Sequence, residues 1–344
     1  MSSAPIVTGL LAYGMSGRLF HAPFLATHPG FRLHGVVERH TPGRMAAEYP
    51  GTASYPTVAA LLADPQIELV VVNTPNETHT ELARQALRAG KHVLLEKPIV
   101  ATTADLRALL HLSQTTGRAL LAYQNRRWDS DFGAVRRVVT SGVLGRLVEA
   151  HFRFDRYRPA FSPKRFKEDG ALATSGLLYD LGPHLLDQAI SLWGAPTRTT
   201  KTLARHRAGS EVDDFFSLDL HYPAGLLVRL SASTFVAAPG PAYVLHGTLG
   251  SYHKGRTDPQ EEQLQAGLLP QAPTYGHEVA GQEGLLTRVL ANGERTTTAD
   301  PAAPGSYYGL FDAVYQTIRH GHAYPITAAA LLSQLAILEQ PAAT

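Results

Sequence analysis

Apolar runs and helix-spaced segments alternate along the first third of the chain. Ile6–Ala12 reads as a short buried strand, 18–25 as a helix and Phe31–Val37 as a second strand. A short helix over Val58–Ala63, a strand over Leu69–Asn73, a turn over Thr74–His79 and a helix over Glu81–Ala89 follow, the last stopped by Gly90. His92–Leu95 is a buried strand that runs into Glu96-Lys97-Pro98. A helix over Thr103–Thr116, closed by Gly117, and a strand over Ala119–Tyr123 complete the series. Short unbroken apolar strands alternating with helices predict a parallel sheet covered on both faces. Residues 1–123 are therefore expected to form an α/β, doubly wound domain of Rossmann type.

The pattern then changes. Asn125–Asp129 opens a helix that runs through Ser130–Ser141, and Leu147–Tyr157 is a long alternating strand. Further strands are expected over Thr197–Arg207, Asp213–Tyr222, Leu226–Thr234 and Tyr243–Gly247, with turns such as Tyr222-Pro223-Ala224-Gly225 between them. Strands in succession predict an α+β domain, 124–344, built on a large, mostly antiparallel sheet. Pro270–Pro304, rich in Pro, Gly, Thr and Ala, reads as loop, and two terminal helices are expected over Tyr307–His320 and Ala328–Glu339. A sheet this wide needs its open face covered, and self-association as a homodimer or homotetramer is one way to cover it.

Three stretches carry candidate chemistry. Tyr13-Gly14-Met15-Ser16-Gly17 joins the first strand to a helix, as in a dinucleotide-binding turn whose amides hold a pyrophosphate. Ala12 stands where the first glycine of that fingerprint belongs. Glu38 follows Gly17 by 21 residues, the place of a carboxylate that bonds the adenosine ribose. Glu38 favours NAD, Arg39 can accept the 2′-phosphate of NADP, and the choice stays open. Asn73, Thr74 and Pro75 lie at a strand's carboxyl end, where they reach the nicotinamide half of a cofactor or serve only as a turn. Lys97 falls at a strand's carboxyl end too, and Pro98 restricts its backbone and can hold a cis bond; taken alone it reads equally as a surface lysine.

The third stretch is Leu178-Tyr179-Asp180-Leu181-Gly182-Pro183-His184-Leu185-Leu186-Asp187. On a helix, Asp180, His184 and Asp187 share a face. His184 is then a candidate general base, and Asp180 an anchor for a substrate hydroxyl or for the histidine. A metal site is the rival reading, although the spacing matches no established metal motif; a structural histidine is another.

Composition narrows the classes. The 344 residues suit two domains by a prior of roughly 150 residues each, and 44% hydrophobic content is ordinary for a globular protein. A net charge of +2 with scattered basic residues gives no case for nucleic acid. Cysteine is absent, which excludes thiolate metal sites and suits a reducing cytoplasm. Met1-Ser2-Ser3-Ala4-Pro5 lacks the features of a signal peptide, and no apolar run reaches the ~18 residues of a membrane span. A cytoplasmic protein is expected.

The glycine turn, Asn73-Thr74-Pro75-Asn76-Glu77-Thr78-His79, Ala89-Gly90-Lys91-His92-Val93-Leu94-Leu95-Glu96-Lys97-Pro98 and Asp180-Leu181-Gly182-Pro183-His184-Leu185-Leu186-Asp187 together resemble the glucose–fructose oxidoreductase / inositol dehydrogenase / MocA family. The likeness spans essentially the whole chain. Phe154-Asp155-Arg156-Tyr157-Arg158-Pro159, Gly250-Ser251-Tyr252 and Asp258-Pro259-Gln260-Glu261-Glu262 resemble the branch of NADP-linked scyllo-inositol dehydrogenases. The resemblance implies an NAD or NADP cofactor and hydride transfer at a carbon of a sugar or cyclic polyol. It implies catalytic roles for Lys97, Asp180 and His184, and a cofactor seat that takes in Asn76, His79 and Glu96. Asn125, Arg126, Arg127, Trp128, Tyr157 and Arg158 are candidate substrate-pocket residues. A nicotinamide performs the redox step itself, so no metal is expected. The alternatives are a non-catalytic nucleotide- and sugar-binding sensor, or a dehydrogenase or reductase of an imine, a diketone or a dihydrodiol.

Overall fold

A computed structural model describes residues 4–38, 41–162 and 168–342. Arg39 lies outside them. The chain divides into two compact units: Met1–Asn125 with Glu261–Pro273 and Tyr307–Ala328, and Arg126–Gln260 with Thr274–Ser306 and Ala329–Thr344.

The first unit is built on six parallel strands: β1 (Ile6–Leu10), β2 (Phe31–Val37), β3 (Ala53–Tyr55), β4 (Leu69–Val72), β5 (His92–Leu95) and β6 (Leu120–Ala122). Their order is β3-β2-β1-β4-β5-β6. Every residue of β4 is fully buried, as a strand covered on both faces must be. The covering helices include α1 (Ala22–Thr27), α3 (Val58–Ala63), α4 (His79–Arg88) and α5 (Thr103–Thr116). Thr57 and Thr102 cap α3 and α5 by accepting N–H bonds from Ala60 and Asp105. Two elements lacked a sequence signal: α2 (Arg44–Glu48) and the edge strand β3, both too short to show a period. The strand order reverses beside β1, and that is where an open parallel sheet leaves a crevice at its carboxyl edge.

The second unit holds α6 (Ser130–Ser141), α7 (Gly176–Trp193) and eight strands: β7 (Leu147–Arg153), β8 (Arg198–Ala204), β9 (Phe215–His221), β10 (Leu227–Ser233), β11 (Tyr243–Gly247), β12 (Gly250–Lys254), β13 (Gly284–Val289) and β14 (Arg295–Asp300). The order is β14-β13-β12-β11-β7-β10-β9-β8, and only β7 and β10 pair in parallel. Alternate residues such as Ala150, Phe152, Leu218, Leu230 and Leu245 point into the core. Of the remaining helices, α8 spans Gln260–Gln265, α9 Tyr308–His320 and α10 Ala328–Glu339. Within the first unit α9 packs through Phe311, stacked on Phe24 at 5.3 Å, and its Arg319 grips Glu68 at 2.8 Å.

The expectation of loop over Pro270–Pro304 is corrected: it contains β13 and β14. These strands sit at the sheet's edge, where few residues are buried, so the apolar alternation is weak. Their ladder, a Thr287–Thr297 hydroxyl contact of 2.9 Å and a turn at Gly293 (φ +84°) define them instead.

α7 is buried along most of its length. Its first turn is capped from outside: Asp213 accepts the Leu178 N–H through its carboxylate at 2.7 Å and the Leu177 N–H through its carbonyl at 2.9 Å. Gly176 is required at φ +85°, since a methyl there would lie 2.3 Å from the Asp213 carboxylate. Burial pushes the Asp213 pKa from 3.8 up to about 6. The folded state therefore binds this proton more tightly than the unfolded chain, and stability falls as pH rises from about 4 through 6. Asp213→Asn keeps an acceptor but removes the titration. Its melting temperature relative to wild type is expected to climb by roughly 2–4 °C between pH about 4 and pH about 7.5, read by calorimetry at both pH values; a constant gap contradicts the assignment.

Candidate active site

In the first unit the carboxyl edge of the sheet opens into a cleft of about 480 Å³, lined by Tyr13, Glu38, Thr41, Arg44, Thr74, Thr78 and neighbours. Its floor is tied by Asn73. The side-chain carbonyl accepts the Ala12 N–H at 3.0 Å, and the amide donates to the Ala12 carbonyl at 2.9 Å. Gly17 packs against this pair: a methyl at position 17 would stand 2.4 Å from the Ala12 oxygen. Gly14 is the opposite case, exposed, with nothing within 4 Å of an added methyl. Its backbone is open to a ligand, as a pyrophosphate seat requires. Met15, half-exposed, lies beside it. Ser16 points the other way and donates to Glu96 at 2.6 Å.

Several residues expected at the cofactor also brace the backbone. Glu38, the expected ribose ligand, lines the cleft, and both its oxygens accept backbone N–H groups, from Gly43 and Met45, each at 2.9 Å. They hold the start of α2. His79 is fully buried; its ring nitrogens lie 2.8 Å from the Pro98 carbonyl and 2.9 Å from that of Thr74. Burial lowers its pKa against the pull of the two carbonyls. His79 thus links the loops after β4 and β5. Thr74 and Pro75 do line the cleft, with Asn76 in the turn that follows. Thr41 and Arg44 line it as well, both exposed, and carried no motif by which sequence could single them out. Lys97, half-buried, follows β5 and precedes a cis bond to Pro98.

In the second unit α7 presents the other candidates. His184 is 5% exposed and follows Pro183, which lacks the N–H that would bond the preceding turn. Asp180 is half-buried and lies 3.8 Å from Arg156. It borders a cavity of about 330 Å³ with Arg156, Arg158, Phe161, Arg207 and Asp213. Arg207 is fixed by a two-point grip on Glu168, at 3.1 and 2.9 Å. Arg158, proposed from sequence, is on this wall; Arg156, Phe161 and Arg207 are additions. Tyr157 is 61% exposed and pairs with Phe235. Arg126 lies over the Phe154 ring at 5.1 Å and reaches Asp129 at 3.3 Å. Trp128 offers its carbonyl to Ser306 and Gln260. Asn125, the last residue of the first unit, is buried at the head of the turn leading to Trp128.

Asp187 and Arg127 form a buried ion pair. Arg127 grips the Asp187 carboxylate at 2.5 and 2.8 Å, and Gln334 adds a third donor at 3.0 Å, all buried. With Asp187 so engaged the His-and-two-Asp metal reading loses a ligand. Among the described residues no cluster of three His, Cys, Asp or Glu side chains could hold a metal.

Residues 7–124 match an oxidoreductase family with an NAD-binding Rossmann fold, and residues 132–253 match the GFO/IDH/MocA C-terminal domain. The uncharacterized oxidoreductase YdgJ of Escherichia coli is 38% identical over 97% of this chain and 94% of its own. The scyllo-inositol 2-dehydrogenase (NADP(+)) IolW of Bacillus subtilis is 34% identical over 97% and 92%. An oxidoreductase structure from Bacillus cereus superposes with a TM-score of 0.89 at 32% identity, covering 97% and 95%.

The two turn glycines separate folding from binding. Gly14→Ala is expected to keep the wild-type melting temperature while weakening nicotinamide dinucleotide affinity by about tenfold or more, measured by calorimetric titration. Gly17→Ala should lose both, since its methyl meets backbone.

Proposed function

The chain belongs to the GFO/IDH/MocA oxidoreductase family, and from that premise we propose that it moves a hydride between a sugar or cyclic, inositol-like polyol and a nicotinamide dinucleotide. The observation that carries the substrate side is Asp180, set on a buried helix at the wall of a cavity that also presents the Arg156, Arg158 and Arg207 guanidinium groups, the Phe161 ring and the Glu168 and Asp213 carboxylates. That mixture of acceptor, donors and a ring face suits a polyhydroxylated substrate. Lys97 polarises the reacting oxygen, Asp180 holds a neighbouring hydroxyl, and His184 takes the hydroxyl proton during oxidation and returns it during reduction. The nicotinamide, when bound, accepts or returns the hydride.

For the cofactor we propose NADP. Glu38 spends both oxygens on backbone amides, and Arg44 borders the same cleft. A carboxylate turned to its own loop leaves the 2′ position to a cation, and a guanidinium suits a phosphate. The relative IolW is named for NADP(+). We also propose a homodimer or homotetramer through the outer face of the eight-stranded sheet, where Leu285 and Val289 are open to solvent; light scattering tests it, and a monomer at working concentration contradicts it. No helix among the described residues is long and apolar enough to cross a membrane.

Lys97→Ala and His184→Ala are expected to lower turnover at least about 100-fold while the folding transition stays near wild type; variants that turn over normally remove the assignment. Arg44→Ala should raise the NADPH dissociation constant about tenfold or more, the loss of one charge-assisted contact, and leave that of NADH nearly unchanged. Equal effects on both would assign Arg44 to the fold instead of the phosphate.

A further inference from the structure

A carboxylate removed from water is costly unless several donors meet it. Glu96, 9% exposed at the end of β5, meets three. Its Oε1 accepts from the Ser16 hydroxyl at 2.6 Å and from His21 Nε2 at 2.9 Å, and its Oε2 accepts the Lys97 backbone N–H at 3.1 Å. Burial pushes the Glu96 pKa up, but the bond and charge of His21, the Ser16 hydroxyl and the Lys97 charge outweigh it and hold it below the ordinary value. A carboxylate only accepts, so Nε2 must carry a proton.

His21 is built into its place. It is fully buried, its ring packs on Tyr123 with centroids 4.3 Å apart, and the Tyr123 hydroxyl bonds the Phe20 carbonyl at 2.7 Å. Gly17–His21 forms a π-helical turn, an irregularity that redirects side chains and is frequent at functional sites. The donors of Glu96 therefore come from the glycine turn and its helix, while the far oxygen holds the backbone of the lysine.

We propose that His21 is a positioning residue: through Glu96 it fixes Lys97 to the glycine turn, so that the cofactor seat and the lysine respond to one buried anion. This rests on the reading of Lys97 given above. Loss of the Nε2 donor leaves Glu96 held by Ser16 alone on that oxygen, and the carboxylate swings from Lys97.

The test reads Lys97 without turnover. Lysines are reductively methylated with isotope-labelled methyl groups, the Lys97 signal is identified by its loss in Lys97→Arg, and its titration is followed by NMR with and without NADPH. In His21→Phe the Lys97 pKa should fall, and NADPH affinity should drop about tenfold; His21→Gln, which restores an N–H donor, should recover both. Wild-type titration and affinity in His21→Phe would overturn the proposal. So would failure of His21→Gln to rescue, because the ring would then only fill space. If His21→Phe does not fold, Ser16→Ala decides: a shifted Lys97 titration supports the linkage and an unchanged one overturns it. A noncatalytic Lys97 would show instead as normal turnover of Lys97→Ala, a separate outcome.

Discussion

The double hydrogen bond between the Asn73 side chain and the Ala12 backbone is the constraint on which the first unit's site depends. Sheet pairing ends at Leu10 and Val72, and the chain leaving β1 must turn at once. Both polar groups of Ala12 lie beyond the last paired residue of β1 and need partners from the turn. Asn73 extends the ladder by one rung with its own amide. Gly17 can then close against the Ala12 carbonyl, Gly14 stays open, and Ser16 and His21 turn inward to Glu96. Alanine at position 12 is compatible with this arrangement, because the tightness of the turn is met by Asn73 and Gly17.

Both units hold their chemistry in place with buried charges that are fully engaged. Glu96 takes three donors just after β5, and Asp187 is clamped by Arg127 and Gln334. Breaking such a group strands a charge away from water, so each fixes geometry more sharply than an apolar contact of equal size. Asp180 and Lys97 are by comparison half-buried.

The doubly wound sheet was legible in sequence because its strands are buried on both faces and read as unbroken apolar runs; β4 is the clearest case. The stretch bearing Asp180 and His184 aligns their side chains only if helical, a condition that α7 meets. Glu96-Lys97-Pro98 stood out by motif. β13 and β14 were hidden because these last two strands of the sheet bury little. Glu38 and His79 have the residue types of ligands, and only the positions of Gly43, Met45 and two loop carbonyls show that they brace the backbone. Asp187 fell on the expected helical face, but its partner Arg127 is distant in sequence. Arg44 and Arg207 belong to no motif, Arg156 lies in a family-like stretch that assigns it no role, and their place on a cavity wall follows from tertiary folding alone.

The most direct test of the central claim is the reduced-nicotinamide absorbance when the purified protein is mixed with NADPH and, one at a time, the ketones of cyclic polyols and sugars. The account predicts a ketone-dependent loss of absorbance with one alcohol formed per NADPH consumed, reversed by NADP with the matching polyol. NADPH that binds tightly yet is neither oxidised by any such ketone nor regenerated from any such polyol would contradict it, and would favour a protein that senses these ligands without transforming them.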